Sequence, residues 1–147
     1  MKLSEIQEIW QKDCQLDDTK LDVELLKIPN LHSKYLGIYN DEALQQKKLF
    51  YEKKKLLKIK TIYYAGKMSQ EELEKLGWEP FMFKIIKGYE PKIETYLAGD
   101  EDLIKADEKL EYTKLKVEFL ESIIKSLNTR GYNIRSAIDF LKFTMGS

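Results

Sequence analysis

The chain has 147 residues, 25 basic and 25 acidic side chains, 43% hydrophobic residues and a single cysteine. That size favours one compact domain, able to bury about two thirds of its unfolded surface without disulfide or metal staples. Cys14 alone forms no internal bridge, and the opening MKLSEIQEIWQKD is acidic and amphipathic, so the expectation is a reducing, cytoplasmic setting with neither leader peptide nor membrane anchor.

Ser4 and Gln7 have capping-box spacing, and Leu3, Ile6, Ile9, Trp10 and Cys14 follow at helical intervals, which predicts a short first helix. Leu21, Leu25 and Ile28 mark a second helix that Pro29 is expected to kink or end, with Leu31, Tyr35 and Leu36 resuming the pattern beyond it. From Asp41 to Ala65 there is neither Pro nor Gly, and Gly66 stands where a left-handed cap belongs. One helix of about seven turns is predicted. Ser69 and Glu72 form another capping box, Met68 and Leu73 are spaced as a hydrophobic staple, and Gly77 closes that short helix. FMFKIIK, residues 81–87, is a candidate short strand between Pro80 and Gly88.

The strongest periodicity lies between Asp100 and Asn128. Leu103, Leu110, Val117 and Ile124 recur every seven residues, with Ala106, Thr113, Leu120 and Leu127 three positions further on. This is the pattern of a coiled-coil seam. It fits either an internal bundle helix or an interface between copies. Tyr112, Phe119 and Ile123 add apolar surface beyond the seam and favour oligomerisation through Leu103, Leu110, Val117, Leu120, Ile124 and Leu127. Asn128 to Gly131 is expected to end the helix, with Ile134, Ile138 and Leu141 forming a last short one. The expected fold class is mainly α, a small helical domain with two long helices.

Charge is segregated along the chain. Residues 1–24 carry three Lys against seven acids, residues 47–60 seven Lys against Glu52 alone, and residues 90–111 eight acids against three Lys. Such segregation suggests an anionic partner for the basic stretch, or acidic and basic segments that dock on each other.

The residues that catalysis would need are missing. His32 has no second histidine, and there is no cysteine cluster, phosphate loop, dinucleotide fingerprint or serine elbow. Asp17, Asp18, Asp22 and Glu24, and again Asp100, Glu101 and Asp102, sit at helix starts, where acids complement the macrodipole. No enzyme activity, metal or cofactor is expected.

At 100° per residue, Lys47, Tyr51, Lys54, Lys58 and Thr61 fall on one stripe of the basic helix, with Lys48 and Lys55 beside it. Leu49, Leu56 and Tyr63 form a second stripe and Phe50, Leu57 and Tyr64 a third. Lys53 and Lys60 lie between these two, so Lys60 points nearly opposite to Lys58. A lysine row with tyrosines nearby suits a phosphate chain whose bases stack on rings. A solvated face held by the acidic segments, in a structural coiled-coil assembly protein without DNA binding, is the alternative.

Several segments resemble the UvsY-type recombination mediators of T-even-like phages: Leu3 to Glu8, Lys12-Asp13, Asp17 to Leu21, and Ser33 to Leu36. The most specific match is Leu57-Lys58-Ile59-Lys60-Thr61-Ile62-Tyr63-Tyr64-Ala65-Gly66, followed by Leu97 to Asp107 and Arg130 to Ile134; residues 67–93 depart from the pattern. The resemblance implies a single domain, 1–147, with a DNA-binding portion over 1–66, a variable middle over 67–98 and an oligomerisation portion over 99–147. It further implies a non-enzymatic helper in phage recombination, recombination-dependent replication and repair. Such a helper binds single-stranded DNA coated by a single-strand binding protein and loads a RecA-like recombinase, as a ring of six or seven subunits in the host cytoplasm. Lys58 and Lys60 become the leading DNA contacts, with Lys54, Lys47, Tyr63 and Tyr64 in support. Where the family has Arg, this chain has Lys60, a point charge in place of a planar fork.

Overall fold

The computed structural model describes residues 1–82 and 91–146. The fold is mainly α, with α1 at Leu3–Asp13, α2 at Leu21–Tyr64, α3 at Gln70–Leu76, α4 at Ile93–Ala98 and α5 at Glu101–Thr144. Two helices are long, at 44 residues each. Phe81 and Met82 belong to neither helix nor strand, and residues 83–87 of the candidate strand lie outside the described residues.

Local chemistry explains most boundaries. The cap of α1 is Lys2 rather than Ser4: its backbone N–H donates to the Glu5 carboxylate at 2.7 Å, which places Ser4 inside the helix. Helix α2 ends as expected at Gly66, with φ +70°. There Gly66 N–H donates to the Tyr63 carbonyl at 3.0 Å and Lys67 N–H to the Ile62 carbonyl at 3.2 Å, a Schellman closure. Ser69 caps α3 by accepting from Glu72 N–H at 3.2 Å, and Gly77, at φ +69°, closes it.

Neither Pro29 nor Gly131 ends its helix. Pro29 lies inside α2. It is exposed, so the Leu25 carbonyl that loses its donor is not forced into the core. Packing by Leu31, Tyr35 and Ile38 on the following turns offsets a penalty of about 3 kcal/mol. Gly131 likewise lies inside α5, without a left-handed φ. A Cβ there would stand 3.8 Å from Ile28 Cδ1, an ordinary contact distance, so α5 passes Ile28 without needing a glycine there. Ile134, Ile138 and Leu141 therefore continue α5 and form no separate helix.

The chain divides into two compact units, Met1–Gln45 with Thr113–Ser147, and Gln46–Tyr112. The boundaries between them fall within α2 and α5.

The first unit packs α1 and its share of α2 and α5 around Ile6, Tyr35, Leu120, Ile123 and Leu127. Trp10 meets Tyr35 edge-on at 5.4 Å. The Tyr35 hydroxyl donates to Asp13 at 2.8 Å. Arg130 stands 5.6 Å from the Trp10 ring and donates to the Asp13 and Cys14 carbonyls at 3.2 and 2.7 Å, satisfying the end of α1. Lys116 and Glu42, both buried, pair at 2.7 Å.

The second unit holds the remaining parts of α2 and α5 with α3 and α4. Among the described residues its buried apolar side chains are Leu73 and Leu103.

The heptad seam is consumed inside the chain. Val117, Leu120 and Leu127 are buried in the first unit and Leu103 in the second, with Leu110 and Ile124 half-buried. That burial is what the internal-bundle alternative expects of Leu103, Val117, Leu120 and Leu127, while Leu110 and Ile124 keep part of their surface. The apolar side chains that α5 leaves exposed include Leu115, Tyr132, Phe140 and Phe143.

Candidate nucleic-acid interface

The basic stretch 47–60 lies wholly on α2, in the second unit. A regular helix places residues two apart about 200° from each other, so neighbouring lysines meet different surroundings.

One set turns inward. Lys60, 6% exposed, reaches Asp100 at 3.0 Å and Asp102 at 2.9 Å, and its ammonium stands 4.2 Å from the Trp78 ring centroid. Lys53 pairs with Asp107. The acidic start of α5 thus holds these two lysines. Asp100 also caps α5, accepting from Leu103 N–H at 2.9 Å, and takes the Tyr64 hydroxyl at 2.6 Å. Burial opposes charge on Lys60, yet hydrogen bonds to Asp102 and Asp100 outweigh it and its pKa is raised. For Asp100, burial would raise the pKa, but the Tyr64 hydroxyl, the Leu103 amide and Lys60 hold it below the usual carboxylate value. Tyr64 is pushed above the ordinary phenol value by burial and by its bond to Asp100.

Tyr63 and Tyr64 belong to the same structural cluster. Tyr63 lies 5.2 Å from Trp78 and donates its hydroxyl to the Glu79 carbonyl at 2.6 Å, while Tyr64 stacks on Tyr96 at 5.7 Å and meets Phe81 at 4.9 Å. Rings already stacked within the fold are half-buried and offer little free face to a base.

The other set turns outward. Lys47, Lys54 and Lys58 are exposed on one stripe with Tyr51, and Lys48 and Lys55 lie beside it. Among the described residues Lys47, Lys54, Lys55 and Lys58 have no carboxylate within pairing distance, whereas Lys48 reaches Glu52 at 4.0 Å. Lys54 stands 4.7 Å from the Phe50 ring and 5.9 Å from that of Tyr51, and Tyr51 is 58% exposed.

Of the six residues the sequence singles out for DNA contact, the structure gathers Lys47, Lys54 and Lys58 on one open face. It places buried Lys60 and half-buried Tyr63 and Tyr64 in a cluster that joins α2 to the start of α5. Tyr51, not named among the six, is the exposed ring on the lysine stripe; its helical phase was the signal that could have selected it. Helical phase set Lys60 between the two apolar stripes, but its partners Asp100 and Asp102 lie some forty residues away in the sequence and could not be read from it.

Carboxylates at the helix starts are spent on structure. Asp17 accepts from Thr19 N–H at 3.0 Å, Glu24 pairs with Lys27 at 2.9 Å, and Asp100 caps α5. No group of His, Cys, Asp and Glu among the described residues is placed to hold a metal ion, and no helix there is long and apolar enough to cross a membrane.

Residues 9–147 match the family model described as recombination, repair and ssDNA binding protein UvsY. The recombination protein uvsY of Enterobacteria phage T4 is 27% identical over 146 residues, covering 99% of each chain. The fold is similar to crystal structures of the bacteriophage T4 recombination mediator protein UvsY. One lattice type gives a TM-score of 0.81 at 27% identity over 99% of this chain and 98% of that one. Another gives 0.77 at 26% identity over 98% and 99%. The helical fold, the two long helices and the match along nearly the whole chain agree, and this chain belongs to the UvsY family of phage recombination mediators.

Proposed function

We propose that this protein binds single-stranded DNA, bare or coated by a single-strand binding protein, and promotes loading of a RecA-like recombinase. It does so without catalysis, in the host cytoplasm, during phage recombination, recombination-dependent replication and repair. The observation that carries this reading is the row Lys47, Lys54 and Lys58, exposed beside Tyr51 and lacking carboxylate partners among the described residues. Phosphates replace condensed counterions at such a row, and a ring face accepts a base of any identity. Family membership supports the same reading.

The protein works as a homo-oligomeric ring of six or seven subunits. Each subunit repeats the row, so weak contacts combine through effective concentration when one strand reaches several subunits. Exposed apolar residues late in α5, Phe140 and Phe143 among them, supply the surface for assembly, since the heptad seam is already packed.

The test is binding to labelled oligothymidylate and to duplex of equal length, followed by recombinase filament growth on protein-coated single strands. Preferential single-strand binding and a shortened assembly lag are expected. Absence of single-strand affinity at low salt, with the oligomer intact, would leave the structural assembly protein as the better reading.

A further inference from the structure

A second surface lies beside the lysine row. Between α2 and α3, Ile59, Ile62, Met68 and Leu76 floor a groove of about 510 Å³, and Lys55, Lys58 and Lys75 stand on its rim with Glu72 as the one carboxylate among the described lining residues. Leu76, at the end of α3, is 43% exposed. The groove forms because α3 is short and closes at Gly77, so its last apolar side chain is left at the edge rather than covered.

We infer that this groove docks an acidic peptide segment of another protein, one that carries aliphatic or aromatic anchors between its carboxylates. The floor is aliphatic and thioether, with methionine adaptable to different anchor shapes. Among the described lining residues there is no ring for a base to stack on, which disfavours a nucleobase as occupant. Three lysines against one glutamate give a positive rim that complements carboxylates flanking an apolar anchor.

Lys58 belongs to both surfaces. It stands on the DNA-facing stripe and on the groove rim, so carboxylates in the groove and phosphates on the row draw on the same ammonium. Docking and DNA binding therefore weaken each other. Docking itself stands apart from the proposed DNA binding; only this antagonism rests on it.

The experiment uses the full chain and a fluorescent synthetic peptide in which Glu and Asp alternate with Leu and Phe, alongside the same peptide with Ser replacing its Leu and Phe. The anchored peptide binds and the Ser version does not. Lys75→Glu and Met68→Glu each weaken it about tenfold without altering helicity or oligomeric mass; Lys58→Glu weakens both peptide and oligothymidylate, and Lys47→Glu weakens oligothymidylate alone. Oligothymidylate at saturation lowers peptide affinity. Equal binding of the two peptides, or indifference to both Lys75→Glu and Met68→Glu, would overturn the inference. So would a loss of oligothymidylate binding on Lys75→Glu with peptide binding unchanged, which makes the groove part of the DNA path. A fall in oligomeric mass on Lys75→Glu would assign the groove to a second copy of this chain and overturn the inference as well. Failure of the wild type to bind oligothymidylate while it still binds the anchored peptide would remove the proposed DNA function and leave docking standing.

Discussion

Lys58 and Lys60 are two residues apart on α2 and belong to opposite environments. Lys58 is exposed, and Lys60 is held between Asp100 at 3.0 Å and Asp102 at 2.9 Å. No distortion of the last helical turn is required, because a regular helix separates them by about 200°. A double replacement of these lysines therefore conflates a contact with a structural ion pair.

Replacing them singly separates the two roles. Lys60→Ala leaves Asp100 buried without its cation, and breaking such a pair costs about 3 kcal/mol. Lys58→Ala, on an exposed face, changes stability by no more than about 0.5 kcal/mol. Urea unfolding monitored by circular dichroism measures both, and equal midpoints for the two variants would remove the structural role of Lys60.

Acid stability depends on the same cluster. The folded pKa of Asp100 is lowered by the Tyr64 hydroxyl, the Leu103 amide and Lys60, despite burial acting the other way. Asp13 is lowered in the same sense against its own burial, by Lys34 and Tyr35. A depressed carboxylate contributes stability above its unfolded value, about pH 4, that is lost as pH falls through the folded value. Asp100→Asn should lower stability at pH 7 and flatten its decline between about pH 5 and pH 2. An acid limb as steep as that of the wild type would contradict this. At the other extreme Lys60, raised by its hydrogen bonds despite burial, contributes stability below its unfolded value that is lost as pH climbs through the folded one.

Glycine replacements should divide by backbone conformation. Gly37 lies within α2 with nothing within 4 Å of an added Cβ, so Gly37→Ala is expected to stabilise by about 0.5–1 kcal/mol. Gly66, at φ +70°, caps α2, and Gly66→Ala should destabilise by about 1 kcal/mol. Thermal unfolding decides, and a shift of the same sign for both would contradict the assignment of Gly66 as a cap.

Assembly should respond to exposed rather than buried residues of α5. Leu120 is fully buried, so Leu120→Ala should cost about 2–5 kcal/mol whatever the oligomeric state. Phe140 and Phe143 are 65% and 81% exposed, and the double change Phe140→Glu, Phe143→Glu should yield folded, smaller species in sedimentation. An unchanged mass would place the interface on another surface.

Local signals carried the sequence reading wherever the deciding partner was near in the chain. Ser69, Gly77 and Gly66 cap helices as their positions predict, because a cap is decided within five residues. Gly131 misled because a glycine inside a helix and one that caps it read alike in sequence, whereas Pro29 does not end α2 and the Tyr35 layer packs beyond it as the resumed pattern expects. Heptad spacing located an apolar stripe on α5 without telling whose side chains would cover it, since helices of one chain and helices of different chains make the same pattern. For the lysines, helical phase separated Lys58 from Lys60, but that Lys60 is bound to α5 while Lys58 is free of described carboxylates depended on the distant Asp100 and Asp102.

The most direct test of the lysine row is the salt dependence of oligothymidylate binding by the wild type and by Lys47→Ala, Lys54→Ala and Lys58→Ala, each at confirmed oligomeric mass. Affinity falls on a double-logarithmic plot with a slope of about −0.7 for each phosphate contact per strand. Each replacement should flatten that slope and weaken binding, while a folded Lys60→Arg variant keeps it. Slopes and affinities unchanged in all three alanine variants would contradict a DNA-binding face at Lys47, Lys54 and Lys58.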